Sequence, residues 1–261
     1  MKVTINADDF GISPGVNEAI EQAYLQGKLN SASLICGCEY FNEAILIAKK
    51  NPDLQIGLHF NLTTGKSTAG VTSTLTNQNS FFKNGFSKIL FLAIFCRKKF
   101  LPQVENELNA QINLLKQNGL KPGHIDGHRH IHFIPGIFKI VCDVAEKNNI
   151  PNIRVINENI FSTWKINHPK SFLWNGGIVK WLVLRTCGLF NGSKKINHRY
   201  FFSILYSCKI SKELIDKIKV PKNFNELEIM IHPGHPDIDS QFENLEEKPH
   251  LLSKERYTEQ L

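Results

Sequence analysis

Apolar positions along the chain switch repeatedly between a short β-branched rhythm and a helical one. Residues 3–7 form a strand-like run that stops at two aspartates. Ser13-Pro14 then opens a helical pattern with Val16, Ala19, Ile20 and Ala23 on one face and Gly27 as its stop. Residues 31–36 read as a second strand, 41–50 as a helix closed by Asn51-Pro52, and 54–60 as a third strand. A polar stretch rich in Thr, Ser and Gly follows at 61–80. It is too long for an ordinary connection and is expected to be a functional loop over a site. Residues 104–116 carry Val104, Leu108, Ile112 and Leu115 on one side and end at Gly119, which predicts a helix. A strand at 124–126, a helix at 135–147 and strands at 153–156 and 228–231 complete the pattern. Residues 157–203, with Trp164, Trp174 and Trp181, look irregular apart from a helix near 178–189.

Strand–helix alternation of this kind predicts an α/β fold around a parallel sheet, either open or closed into a (β/α) barrel. No linker divides the chain, so 1–261 is read as one domain. In such sheets, sites form where the carboxyl ends of strands meet the βα loops. The unusual polar residues fall there: Asp8-Asp9 after the first strand, His59 at the end of the third, His128 after the fourth and His232 after a late one.

Each of these has a plainer explanation that must be weighed. Two adjacent carboxylates where a buried strand meets a loop are expensive to desolvate unless a cation offsets them, although Asp is also an ordinary turn residue. His124, Asp126, His128, His130 and His132 alternate at every second position. In extended backbone that spacing points five side chains the same way, with the later ones lying in the following loop. Histidines clustered with carboxylate suit zinc or a similar divalent ion better than they suit a solvent-facing strand. His59 alone would be a core histidine; its position level with Asp9 and His128 makes it a candidate ligand. His232, fixed before Pro233-Gly234, suits a general acid or base on a sharp turn, whereas His235 reads as part of a plain turn.

Composition narrows the function classes. With 261 residues and 42% hydrophobic content the chain buries one substantial core, and with 21% charged residues and no repeat it is not disordered. The net charge of +7 is scattered. Its densest run, Arg97-Lys98-Lys99, lacks aromatic interleaving and reads as a solvated face rather than a nucleic-acid stripe. Six cysteines without a CxxC read as reduced thiols, and the start Met1-Lys2-Val3 shows no signal-peptide pattern, so a cytoplasmic location is expected. The most apolar run, 89–96, falls far short of the roughly 20 residues of a membrane span. It is expected to be a buried or lid helix rather than one lying on a surface, and residues 81–100 are read as a lid or a homodimer contact.

Four motifs together carry a resemblance. Asn6-Ala7-Asp8-Asp9-Phe10-Gly11-Ile12-Ser13, Gly57-Leu58-His59-Phe60-Asn61-Leu62-Thr63, His124-Ile125-Asp126-Gly127-His128-Arg129-His130-Ile131-His132 and His232-Pro233-Gly234 occur in one order over residues 6–234. Jointly they closely resemble the YdjC-like carbohydrate deacetylases. The resemblance implies a (β/α) barrel of the glycoside hydrolase/deacetylase kind, hydrolysis of the acetyl group of an N-acetylated sugar such as a chitooligosaccharide, and one divalent metal ion, magnesium or zinc. Matched residue by residue, Asp9, His59 and His128 correspond to the metal ligands, Asp8 to the catalytic base and His232 to the acid. Arg154 sits where the family tends to carry a site arginine. Arg129 and His130 are candidates for substrate binding or ligand orientation, and Trp164 and Trp174 for stacking on sugar rings. No part of 157–203 matches the family closely. The chain also stops soon after Glu255-Arg256-Tyr257, where relatives often continue, so it is read as either short at the C-terminus or truncated there. Two rival readings are a phosphoesterase, which would need two metals and bridging carboxylates with Asp126 as the extra acid, and a sugar-binding relative without turnover.

Overall fold

The computed structural model describes residues 1–166, 177–191 and 199–259. Seven strands form one parallel sheet: β1 (Lys2–Phe10), β2 (Ser31–Ile35), β3 (Gln55–Phe60), β4 (His124–Gly127), β5 (Asn152–Ile153), β6 (Arg199–Phe202) and β7 (Glu226–Ile231), in the order β5-β4-β3-β2-β1-β7-β6. The connecting helices include α1 (Pro14–Leu25), α2 (Phe41–Lys50), α3 (Phe86–Phe95), α4 (Arg97–Gln117) and α5 (Ile137–Lys147). Strands buried along most of their length are what a parallel sheet covered by helices demands.

The sheet curls into a partial barrel. Its two edge strands, β5 and β6, are bridged by side chains instead of strand pairing. Just beyond β5, the Asn157 amide donates to the Arg199 carbonyl at 2.9 Å and accepts from the Phe201 N–H at 2.8 Å. The next residue, Glu158, accepts from the Ile204 N–H at 2.7 Å and from the Thr163 hydroxyl at 3.0 Å. The barrel expected from strand–helix alternation is thus realised with a seam.

Several elements depart from their expected bounds for identifiable reasons. β1 continues past residue 7 through both aspartates, because its backbone bulges there and stays paired to β2 at Phe10. α4 begins at Arg97 rather than 104: Pro102 lies inside it, reads locally as a breaker, and removes only one helical hydrogen bond. β5 is two residues long, so Arg154 falls just past its carboxyl end. Within the stretch that looked irregular, β6 pairs with β7, and helices span Ile160–Trp164 and Gly177–Phe190. The alternating histidine run does not remain extended. After β4 it enters a 3₁₀ turn, His128–Phe133, with Arg129 at φ 54° and His130 at φ 58°, so the five side chains do not share one face.

The loop at 61–80 is anchored from below. Buried Glu107 of α4 accepts from the Ser67 hydroxyl and from the Thr68 and Ala69 N–H groups, and Gln111 donates to the Asn61 carbonyl. Among the described residues no helix is long and apolar enough to cross a membrane.

Candidate metal centre

The carboxyl ends of β1, β3 and β4 converge on a cleft of about 1000 Å³, lined among others by Asp8, Asp9, His59, His128, Arg129, His130, Lys180, His232 and Glu247. In a regular strand Asp8 and Asp9 would point to opposite faces of the sheet. The irregularity between Ala7 and Phe10, with Asp9 in the left-handed region at φ 68°, turns both carboxylates toward the cleft.

Asp9, His59 and His128 come together in the way a metal triad requires. One carboxylate oxygen and one nitrogen from each ring lie within 4.8 Å of one another. Asp9 Oδ1 is 2.9 Å from His128 Nδ1 and 3.4 Å from His59 Nε2. The outward nitrogen of each ring is held by a carboxylate. His59 Nδ1 donates to Asp126 Oδ1 at 2.8 Å, and His128 Nε2 donates to Glu247 Oε1 at 3.0 Å. With the proton fixed on the outer nitrogen, the inner one is free to act as a ligand. The second oxygen of Asp9 accepts from Arg256 at 3.1 Å. This donor set, two imidazoles and one carboxylate in a buried, carboxylate-rich setting, fits a divalent cation.

The charge balance points the same way. Burial alone would lower the basicity of His59, but the Asp126 and Asp8 charges and hydrogen bonds to Asp126 and Asp9 raise its pKa to about 10. His128 is also raised, against its burial, by Asp9 and Glu247. Burial would push the Asp9 carboxyl up, yet His128, His59 and Arg256 hold it well below the ordinary range. The carboxylates around the two rings therefore favour positive charge at the triad.

Asp8 lies beside the triad, one of its oxygens within 4.8 Å of a His59 nitrogen and of an Asp126 oxygen, and it is held there by Arg154. The guanidinium grips it with two parallel bonds, Nη1 to Oδ2 at 2.7 Å and Nη2 to Oδ1 at 2.8 Å. It also pairs with Asp126 at 2.6 Å and, through Nε, with Glu228 at 2.6 Å. Asn6 donates to Asp8 Oδ1 at 2.8 Å. Arg154 is fully buried and its donors are spent on three carboxylates, so it lies behind the site rather than on the pocket wall, where a substrate-binding residue was expected.

His232 reaches the pocket from the end of β7. Its backbone N–H donates to Glu259, whose carboxylate also stands 3.6 Å from the ring's Nδ1. Burial opposes protonation of this ring, but Cys208, Glu259 and Asp9 raise its pKa well above that of a free histidine. His130 lines the pocket with the opposite tendency: burial and the nearby Lys180 and Arg154 charges keep it neutral. Arg129 lines the pocket and donates to Glu247 at 2.8 Å. His132 is tucked beneath, 3.1 Å from the Arg154 carbonyl through Nε2. His124 packs against Gly57, where an added Cβ would meet the imidazole at 2.2 Å. His235 lies outside the pocket, against Gln22 at 3.1 Å. Trp174 and the side chain of Trp164 lie outside the described residues.

Three participants carried no readable signal in sequence. Glu247 and Arg256 sit in runs of ordinary surface composition and Lys180 in an apolar helical run, and all three meet the site only through the fold. The loop at 61–80 approaches it through the Thr64 hydroxyl, which donates to Glu247 at 2.6 Å.

Comparison with known proteins adds an independent line. A family model described as YdjC-like protein matches residues 2–260. The chain is 30% identical over 238 residues to a protein named carbohydrate deacetylase from Clostridium beijerinckii, an alignment covering 91% of this chain and 83% of that one. It is 28% identical over 241 residues to a protein of the same name from Vibrio cholerae, covering 91% and 80%. Against a third of that name, from Brevibacillus brevis, identity is 36% over 151 residues, and the match spans only 58% of either chain. A crystal structure from Enterococcus faecalis, described as a candidate cellobiose-phosphate cleavage protein, superposes with a TM-score of 0.63 at 23% identity, covering 98% of this chain and 92% of that one. It shares the fold.

Proposed function

The chain belongs to the YdjC-like family, and from that premise we propose that it is a metal-dependent hydrolase that removes the acetyl group from an N-acetylated sugar, such as a chitooligosaccharide. The observation that carries this reading is the triad of Asp9, His59 and His128, with each ring's outer nitrogen tied to a carboxylate. These three residues would hold one divalent cation, magnesium or zinc. When bound, the cation supplies Lewis acidity toward water and the acetyl carbonyl.

The chain's own residues divide the proton work. Asp8 takes the proton from the attacking water. Arg154 and Asn6 fix the direction of its carboxylate and fill Oδ1, while Oδ2, with one bond from Arg154, keeps a lone pair for the proton. His232, kept protonated beside Cys208 and Glu259, delivers a proton to the sugar nitrogen, which leaves poorly as an anion. Arg129 and neutral His130 border the space left for the sugar. A two-metal phosphoesterase would need a second cation among Asp8, His59 and Asp126, whose ligand atoms also lie within 4.8 Å of one another, but the Arg154 guanidinium already pairs with both carboxylates there.

The test is direct. Protein loaded in turn with zinc, magnesium, manganese or cobalt is given N-acetylglucosamine oligomers and a generic phosphoester, and acetate and phosphate are scored. The proposal expects acetate release with at least one metal. Phosphate without acetate overturns it.

A further inference from the structure

Helix α3 turns Ile89, Leu92 and Ala93 into the core but leaves Phe91, Ile94 and Phe95 exposed, with Phe95 at 71%. Phe91 and Phe95 lie ring to ring at 4.9 Å, and the Lys88 ammonium sits 5.2 Å from the Phe91 ring. Directly after this helix, Arg97, Lys98 and Lys99 are exposed as well. The helix Gly177–Phe190 repeats the arrangement. Leu184 and Cys187 face inward, while Val179, Leu182, Leu189 and Phe190 stand outward beside Arg185, with Phe190 at 76%. Both helices pack against the turn His128–Phe133, and both wall the cleft, α3 through Phe86 and the other through Val179 and Val183.

A surface helix normally points its polar face outward. Here two neighbours of one cleft point large apolar side chains at solvent, which marks an interaction surface. The charges decide what covers it. The centres of protein–protein contacts are depleted in lysine, whereas aromatic and aliphatic residues bordered by Lys and Arg are the pattern of a helix lying at a bilayer interface, its cations drawn to anionic headgroups. Neither helix is long and apolar enough to span a membrane, so any contact must be interfacial.

We propose that α3 and the helix Gly177–Phe190 form a docking surface for an anionic phospholipid bilayer. Phe91, Ile94 and Phe95 enter the boundary between headgroups and acyl chains, and Lys88, Arg97, Lys98 and Lys99 pair with lipid phosphates. Since both helices wall the cleft, docking brings the cleft to the headgroup layer. The inference does not depend on the chemistry assigned to the site.

Co-sedimentation with vesicles tests it, using phosphatidylcholine alone and phosphatidylcholine with phosphatidylglycerol. Three proteins are compared: wild type, the triple variant Phe91→Ser/Ile94→Ser/Phe95→Ser, and Lys98→Glu/Lys99→Glu. The substituted side chains face outward, and thermal unfolding checks that each variant is folded. The charge variant keeps the test valid if the triple variant is not. Wild type should partition onto the anionic vesicles, less so at high salt, and each variant should lose about tenfold or more in partitioning. No partitioning by wild type, or equal partitioning by folded variants, overturns the proposal. So does a concentration-dependent dimer that the triple variant dissociates without any vesicle binding, which would assign the face to a second copy of the chain.

Discussion

Glu247 accepts a hydrogen bond from His128 Nε2 at 3.0 Å, 119 residues away in sequence, while the opposite nitrogen of the same ring faces Asp9 at 2.9 Å. The contact depends on an unusual backbone, since Glu247 sits in the left-handed region at φ 57°. The Thr64 hydroxyl and Arg129 hold the same carboxylate oxygen. Glu247 thereby does for His128 what Asp126 does for His59: it fixes the tautomer that leaves the inner nitrogen free.

Replacing Glu247 with alanine is expected to leave the protein folded and to weaken divalent-cation binding by about 10- to 100-fold, the usual range for removing a carboxylate that orients a ligating histidine. Titration of the metal-free protein with zinc against a competing chelator measures this. Unchanged affinity would show that His128 needs no such orientation.

Arg154 balances three buried carboxylates, so its loss should be felt first in stability. Arg154→Met leaves Asp8, Asp126 and Glu228 without their shared cation, and breaking a buried ion pair on one side typically costs about 3–5 kcal/mol. Urea unfolding at neutral pH reads the effect. A loss below about 1 kcal/mol would mean that the three acids find other partners or protons cheaply.

Glu158 gives the fold a pH dependence separate from the site. Burial raises its pKa from 4.5 to about 7, opposed by hydrogen bonds from the Ile204 N–H, the Thr163 hydroxyl and other backbone N–H groups. Because the folded value lies above the unfolded one, the folded state holds the proton more tightly. The resulting stabilisation is complete below pH 4.5 and is lost as pH rises through about 7. Its full size is on the order of 3 kcal/mol. Glu158→Gln keeps the shape of the protonated acid, so its thermal midpoint should exceed that of wild type increasingly from pH 5 to pH 8. Parallel pH curves for the two proteins would contradict the assignment.

The strand ends, and with them Asp8, Asp9, His59, His128 and His232, were legible because a parallel sheet gathers the carboxyl ends of its strands and the motifs stand at those ends. What sequence could not show was how side chains turn there. Period-two alternation puts His124 and Asp126 on one face but fails from His128 onward, where two left-handed residues break the extended backbone. It also assigns Asp8 and Asp9 to opposite faces, which the β1 bulge overrides. Arg154 was visible as a candidate, but its partners on β1, β4 and β7 are set by the curl of the sheet, and they draw it away from the pocket wall. β6 was missed because Arg199-Tyr200-Phe201-Phe202 is only four residues long and follows a stretch without readable rhythm. Glu247 and Arg256 contribute through long-range contacts that no local pattern encodes.

The measurement closest to the central claim follows bound metal and acetate release in the same samples of wild type, Asp8→Asn and His128→Ala, with N-acetylglucosamine oligomers as substrate. The account predicts that His128→Ala loses both metal and turnover. Asp8→Asn should keep the metal while acetate release falls by about 10²- to 10⁴-fold, the range for loss of a general base. Acetate release that persists in His128→Ala, or Asp8→Asn turning over at the wild-type rate, would contradict it.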